Sequence, residues 1–256
     1  MFTGWVQFQA QAKANGNGLT FSLIEFNPQV PVVNRVEIES PGPDGMKILS
    51  TIHLSSFATK AEGRTLATMV NSAILDRIVF MYGFVFENAQ QIGESFYPTN
   101  SPTGGSCGTA WGSSTAIGVG RLLLEVNPTD LKSELEVPSP SSTRYYGLFR
   151  SARLSESPVE EFMHLYHLLL MFFDDEQKDV DTFIVGQDAS VPQTLSPKQK
   201  KGETETIYTR LRNEFAHQRS DVDLTVTKAE MIDRLGRIVA LVKCAIDSQL
   251  LKSKGK

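Results

Sequence analysis

An α+β region followed by an all-helical one is what this sequence predicts, and three observations predict it. Apolar residues alternate with polar ones over the first fifty-odd positions, as in half-buried strands. At Thr59 the period changes to that of an amphipathic helix. Past the Pro/Ser-rich segment Val137–Ser142 the strand signals stop. These observations place an α+β domain over residues 1–140, its sheet mostly antiparallel, and a helical domain over residues 144–256.

The strands come first. FTGWVQFQAQ alternates, Asn15-Gly16-Asn17-Gly18 supplies residues tolerant of positive φ, and LTFSLIEF follows, which together signal a hairpin. VVNRVEIES forms a third strand and, after Pro41-Gly42-Pro43-Asp44-Gly45, MKILSTIHL a fourth. Thr59-Lys60-Ala61-Glu62 fits a capping box, in which Thr59 caps the Glu62 amide and Glu62 reaches back. Leu66, Val70, Ile74 and Ile78 then recur every fourth residue, with Met69, Ala73 and Met81 in the same stripe, so one long helix to about Tyr82 packs on the sheet. FVFENA and IGVGRLLLEV read as further strands around a Gly/Ser/Thr-rich stretch, Pro98–Thr115.

The helical region begins after the linker at Val137–Ser142 with a short helix in TRYYGLFRSARL. Ser157-Pro158 opens the helix PVEEFMHLYHLLLMFF, with proline in its first turn, and DEQKDVDTFI adds another. Gly186–Gly202 reads as a long polar loop, and ETETIYTRLRNEFAHQR as a helix. Thr227-Lys228-Ala229-Glu230 forms a second capping box, opening a last helix that runs to about Leu251.

Composition narrows the function classes. The 256 residues are 41% hydrophobic and 21% charged, as in an ordinary globular protein, and no apolar run is long enough for a membrane span. The first residues lack the basic-then-apolar order of a secretory signal. Cys107 and Cys244 make neither a CxxC pair nor a disulfide framework, which points to a reducing, cytoplasmic setting. Residues 1–140 carry 8 Lys and Arg against 12 Asp and Glu, and residues 141–256 carry 17 of each. Neither half is a basic nucleic-acid module in bulk, so duplex DNA is not an expected partner and phosphate binding is confined to a local site.

One helix carries a chemically specific constellation. On a wheel of about 100° per residue, Ile207, Tyr208, Leu211 and Phe215 face one way, while Arg210, Asn213 and His217 fall opposite, with Thr206 and Ala216 beside them. Arg212 lies at the edge of that polar face and can bend onto it; Asn213 and His217 are neighbours at i, i+4. The expected result is an exposed strip of cation, amide and imidazole. The plain alternative is a solvated face of mixed charge with a lone surface histidine.

Arg212-Asn213-Glu214-Phe215-Ala216-His217 resembles the motif of the HEPN superfamily: Arg, a polar residue, three more residues, then His, late in a helix. SPVEEFMHLYHLLLMF, as an earlier bundle helix, and the capped helix that follows fit the same context, over roughly residues 144–252. ETIYTRLRNEFAHQR is similar to the bacterial MauJ-type proteins, named after methylamine utilisation, and to other ApeA-like HEPN proteins. The resemblance implies an all-α HEPN-like helical bundle. It further implies a metal-independent endoribonuclease that cleaves single-stranded RNA through its 2′-hydroxyl, working as a homodimer with a composite site, with no cofactor.

In that reading Arg212, Asn213 and His217 are catalytic. His217 moves protons near its ordinary pKa of about 6.5, Arg212 holds phosphate oxygens with its planar fork, and Asn213 orients the imidazole or contacts ribose. Arg210 and Arg219 are the substrate-binding candidates. The N-terminal domain serves as a sensor or specificity module. The competing function is a non-catalytic interaction or nucleotide-binding protein, or an accessory factor of amine metabolism, since fold does not imply function.

Four other features have simpler readings. Glu161, His164 and His167 have the spacing of a metal site on one helix, but a packed bundle helix explains them. GGSCGTAWGSSTAIGVG lacks the Gly-Lys-Ser/Thr of a phosphate loop and reads as an inter-strand loop. Lys198-Gln199-Lys200-Lys201 is a solvated charge run that precedes the motif helix, and His53 a hydrogen-bonded strand residue.

Overall fold

The computed structural model describes residues 1–13, 18–42, 45–87, 89–99, 123–136, 140–196, 204–217 and 222–254. The chain divides into two compact units, Met1–Gly147 and Leu148–Lys256.

The first unit is built on five strands: β1 (Phe2–Gln11), β3 (Ile24–Phe26), β4 (Val33–Glu39), β5 (Lys47–Phe57) and β6 (Gln90–Pro98). They lie in the order β3-β4-β5-β1-β6, every pair antiparallel. Strict alternation produces a one-sided core. Val6, Phe8 and Ala10 of β1, Ile48, Ile52 and Leu54 of β5, and Val36 and Ile38 of β4 all point to one buried face. Helix α1 (Lys60–Tyr82) covers that face with Ala67, Val70, Ile74, Leu75 and Ile78. Each of the Val, Leu, Ile and Phe side chains among them contributes about 1.5–3 kcal/mol when fully removed from water.

Both ends of α1 are specified locally. Thr59 accepts the Glu62 amide, while the Glu62 carboxylate returns to the amide of Ala58 rather than to that of Thr59. Gly83 ends the helix at φ 75°, a left-handed conformation that glycine adopts without steric penalty. The helix buries a stripe rotated from the expected one: Met69 is exposed, and Ala67, Asn71 and Leu75 take the inner positions. Asn71 is satisfied there by the Ser50 hydroxyl of β5.

The expected hairpin between the first two strands does not form. Strand β2 (Gly18–Thr20) instead pairs in parallel with β7 (Leu123–Glu125), and β1 is flanked by β5 and β6. Both edges of β1 are taken by long partners, β5 matched at nine residues and β6 at eight, so no edge remains for β2. FVFENA contributes only a bridge from Phe86 to Ala12; the strand is β6, whose weak alternation and Gly93 hide it in sequence. LTFSLIEF splits into β2 and β3, and an unexpected helix, α2 (Pro128–Glu136), buries Leu131 and Leu135. Helix α3 (Pro140–Arg153) takes in the end of the expected linker; residues 137–139 lie outside the described set, as does most of the Gly/Ser/Thr-rich stretch.

Among the described residues the second unit is helical apart from one ribbon. Helix α4 (Pro158–Phe172) sits centrally, touching α5 (Gln177–Gln187), α6 (Ile207–His217), α7 (Leu224–Asp233) and α8 (Leu235–Lys254). Phe162, Leu165, Tyr166 and Leu169 of α4 are fully buried, as are Ile238, Val242 and Ile246 of α8, which packs on it. Pro158 stands in the first turn, as the sequence predicts, and Ser157 and Glu160 add a reciprocal capping box that the sequence analysis did not single out.

Three expectations are corrected here. The polar loop contains a strand, β8 (Gln193–Leu195), paired antiparallel with β9 (Thr204–Thr206), so the C-terminal region is not purely helical. The motif helix starts at Ile207 rather than Glu203, because the Thr206 amide donates to Asp181 Oδ1 and the Ile207 amide to the Pro192 carbonyl. The last helix is two: Asp223 caps α7 at the Thr225 amide, and α8 begins after a break at Arg234. Thr227 is a buried helical residue, not a cap.

Candidate functional site around helix α6

Helix α6 has its apolar side where periodicity puts it. Ile207, Tyr208 and Leu211 are buried, and Tyr208 stacks against Phe162 at 6.3 Å between ring centroids. Phe215 is only half-buried, with the Lys228 ammonium 5.9 Å from its ring centroid.

The other side of α6 is not open. Thr209, Asn213 and Glu214 are all buried, because β9 and α7 pack along it and Gln177 and Asp181 of α5 reach it through hydrogen bonds. Asn213, expected on an exposed strip, is 6% exposed and lies within a polar network. Its Oδ1 accepts from Gln177 Nε2 at 3.1 Å and from Arg212 Nη1 at 2.9 Å, and its Nδ2 donates to Glu205 Oε2 at 3.2 Å. A wheel gives the angle of a side chain about the helix axis, not which angles neighbouring elements will cover.

The predicted site residues therefore divide. Arg212 and Asn213 are brought together by a hydrogen bond, Arg212 being half-buried and bent onto the polar side. His217 is exposed at the last position of α6, one turn beyond Asn213. A cation there is favoured by the carbonyl end of the helix dipole. Arg210 is drawn away from the strip by two carboxylates: Glu214, at 3.4 Å, and Glu230 of α7. Glu214 also accepts the Thr227 hydroxyl at 2.9 Å, which ties α6 to α7. Arg219 lies outside the described residues.

Beneath Arg212 lies a second set of polar residues that sequence reading did not single out. Asp181 Oδ1 accepts from the Thr206 amide at 3.0 Å and from the hydroxyls of Thr206 and Thr209, each at 2.6 Å. Asp181 Oδ2 is buried with no hydrogen-bond partner among the described residues. Burial pushes the Asp181 carboxyl above the usual range, against the three hydrogen bonds that favour its ionised form. The Tyr166 hydroxyl lies 2.7 Å from Thr209 Oγ1, and burial raises its pKa. The positive field of Arg212 and the negative fields of Asp181 and Glu205 all reach Tyr166, so these groups form one electrostatic cluster. One signal was available in sequence: Asp181 interrupts the core positions Val180 and Ile184 of α5.

The remaining candidates resolve simply. Glu161 is buried against Arg153, and His164 Nδ1 lies 2.8 Å from the Ser155 hydroxyl, while His167 is exposed. Among the described residues no group of three or more His, Cys, Asp or Glu is placed to hold a metal ion. His53 Nε2 sits 3.2 Å from the Glu37 carboxylate across β4 and β5. GGSCGTAWGSSTAIGVG and Lys198–Lys201 both lie entirely outside the described residues. Cys244 is an exposed free thiol. No helix among the described residues is long and apolar enough to cross a membrane.

No family model, curated protein or solved structure matches this chain.

Proposed function

We propose that the helical unit is a HEPN-type endoribonuclease acting on single-stranded RNA, with Arg212 and His217 as its catalytic residues. The observation that carries this reading is a guanidinium anchored through Asn213 on the same helix as an exposed imidazole one turn beyond that asparagine. Such a pair suits a reaction whose nucleophile belongs to the substrate. The RNA 2′-hydroxyl attacks phosphorus, its proton passes to a base, and the bond from phosphorus to the 5′-oxygen breaks as that oxygen takes a proton. The products are a 2′,3′-cyclic phosphate and a 5′-hydroxyl.

His217 performs one of these proton transfers, and the same histidine of a second copy performs the other, so the active species is a homodimer. Arg212 stabilises the charge that builds on the non-bridging oxygens. Asn213 serves by holding Arg212, since its burial removes it from direct contact with ribose. The N-terminal unit acts as the sensor or specificity module. Arg210, neutralised by Glu214 and Glu230, is a weaker phosphate ligand than its sequence position suggests. That neutralisation favours the second reading, a non-catalytic interaction or nucleotide-binding protein.

The deciding experiment incubates the full chain with mixed RNAs in EDTA beside a His217→Ala control. Cleavage with cyclic-phosphate ends, lost by about 10²–10⁴-fold in the variant, is the expected result. Equal rates for parent and variant, or no cleavage of any RNA, would overturn the nuclease reading.

A further inference from the structure

We infer that Gln177 and Glu205 are positioning residues that fix the direction of the Arg212 guanidinium by locking the Asn213 amide. Arg212 and Asn213 are adjacent on a helix, where neighbouring side chains diverge by about 100°. A hydrogen bond between them therefore requires Arg212 to bend across, and it lasts only if the Asn213 oxygen points outward. Two partners from other elements impose that direction. Gln177, the first residue of α5, donates to the oxygen at 3.1 Å, and Glu205 of β9 accepts from the amide nitrogen at 3.2 Å. Reversing the amide would set its NH₂ group against two donors and its oxygen against a carboxylate.

Burial makes this arrangement stiff. Asn213 is 6% exposed and Glu205 2% exposed, so lost bonds there are not replaced by water. A single α6 residue thus transmits the geometry of α5 and β9 to a half-buried cation. The Arg212 fork accordingly meets a phosphate along a preset direction, which is the geometric requirement of electrostatic catalysis. The catalytic part of this inference rests on the ribonuclease reading; the positioning part does not.

The test uses the full-length protein and separates the two. Guanidinium-tuned NMR of the protein, with the Arg212 signals assigned by their loss in Arg212→Lys, should show slow, resolved Nη protons at low temperature. Gln177→Ala and Asn213→Ala should average them, whereas His217→Ala should not. Gln177 is half-buried at a helix start, so its variant tests the idea even if the buried Glu205→Gln fails to fold. With RNA, Gln177→Ala should lower kcat on the order of 10–100-fold with little change in KM, as a misplaced group does. Averaged Arg212 protons in the parent, or signals unchanged in both Gln177→Ala and Asn213→Ala, would overturn the positioning role. If the parent cleaves no RNA, the ribonuclease reading falls, and the guanidinium spectra alone decide the positioning role. Should the parent cleave, and Gln177→Ala average the signals yet cleave at the parent kcat, positioning has no catalytic consequence and that part is overturned.

Discussion

The Thr209 hydroxyl donates to Asp181 Oδ1 at 2.6 Å, from α6 to α5, and completes a set of three donors on one carboxylate oxygen. The second oxygen of Asp181 is buried and has no hydrogen-bond partner among the described residues. The carboxyl is thus half satisfied, and its ionised form carries a burial cost that its neutral form does not.

That cost has a pH signature. Burial raises the folded-state pKa of Asp181 above the unfolded value of about 3.9. At pH below the unfolded value both states are protonated and the group contributes nothing. As pH rises through the folded value the penalty develops fully, so Asp181 makes the fold less stable at neutral pH than in mild acid. Asp181→Asn keeps an acceptor for the three donors and cannot ionise. Melting curves of parent and variant should shift in the variant's favour as pH rises from about 4 to 7; a constant difference across that range would contradict it.

Asn213 and His217 should separate stability from activity. Asn213→Ala leaves Glu205 and Gln177 short of a buried partner and should cost about 1–3 kcal/mol in urea unfolding. His217 is exposed, so His217→Ala should leave stability within about 0.5 kcal/mol while removing RNA cleavage. Equal destabilisation by the two would mean that the network around Asn213 is not a stabilising one.

On the first unit's sheet, His53 faces Glu37 at 3.2 Å, with Arg35 and Glu25 on the adjoining strands and Trp5 opposite it in register on β1. Burial, aided by Arg35, holds its pKa below the ordinary value despite the carboxylates. A lowered histidine pKa favours the neutral form in the fold. Stability is therefore intact above the unfolded value of about 6.5 and declines as pH falls from there through the folded one. His53→Gln should flatten that decline, as followed by thermal melts between about pH 5 and 7. An unchanged slope would assign the decline to other groups.

Gly63 permits the close approach of α1 to the end of β5. A Cβ there would meet the Phe57 ring at 2.7 Å, and Phe57 is held against Phe2 and Phe96, with ring centroids at 6.1 and 5.2 Å. Gly63→Ala gains about 1 kcal/mol of helix propensity but overpacks a ring that has nowhere to go, at about 1–3 kcal/mol. The net expectation is a loss of up to about 2 kcal/mol, and a rise in Tm would refute the close-packing argument.

Much of the first unit is legible in sequence because the information is local. The alternation in Phe2–Gln11 and Lys47–Phe57, and the Thr59 cap with the helix behind it, depend on periods and neighbours a few residues apart. The same holds for Ser157, Glu160 and the helix they open. By itself, then, the sequence determined that a strand-rich region precedes a helical one, and which side of α6 carries Ile207, Tyr208 and Leu211.

Only the tertiary structure decided which strand lies beside β1, where α6 begins and which way Asn213 faces. The partners responsible are distant in the chain: β6 for β1, Asp181 for the Thr206 amide, Gln177 for the Asn213 oxygen. Backbone and amide groups bond whatever complementary group the packed elements bring near, and local periodicity carries no record of that choice. An amide at the polar angle of a helix is a surface residue until another element covers it, and here α5 and β9 turn Asn213 into the buried support of Arg212.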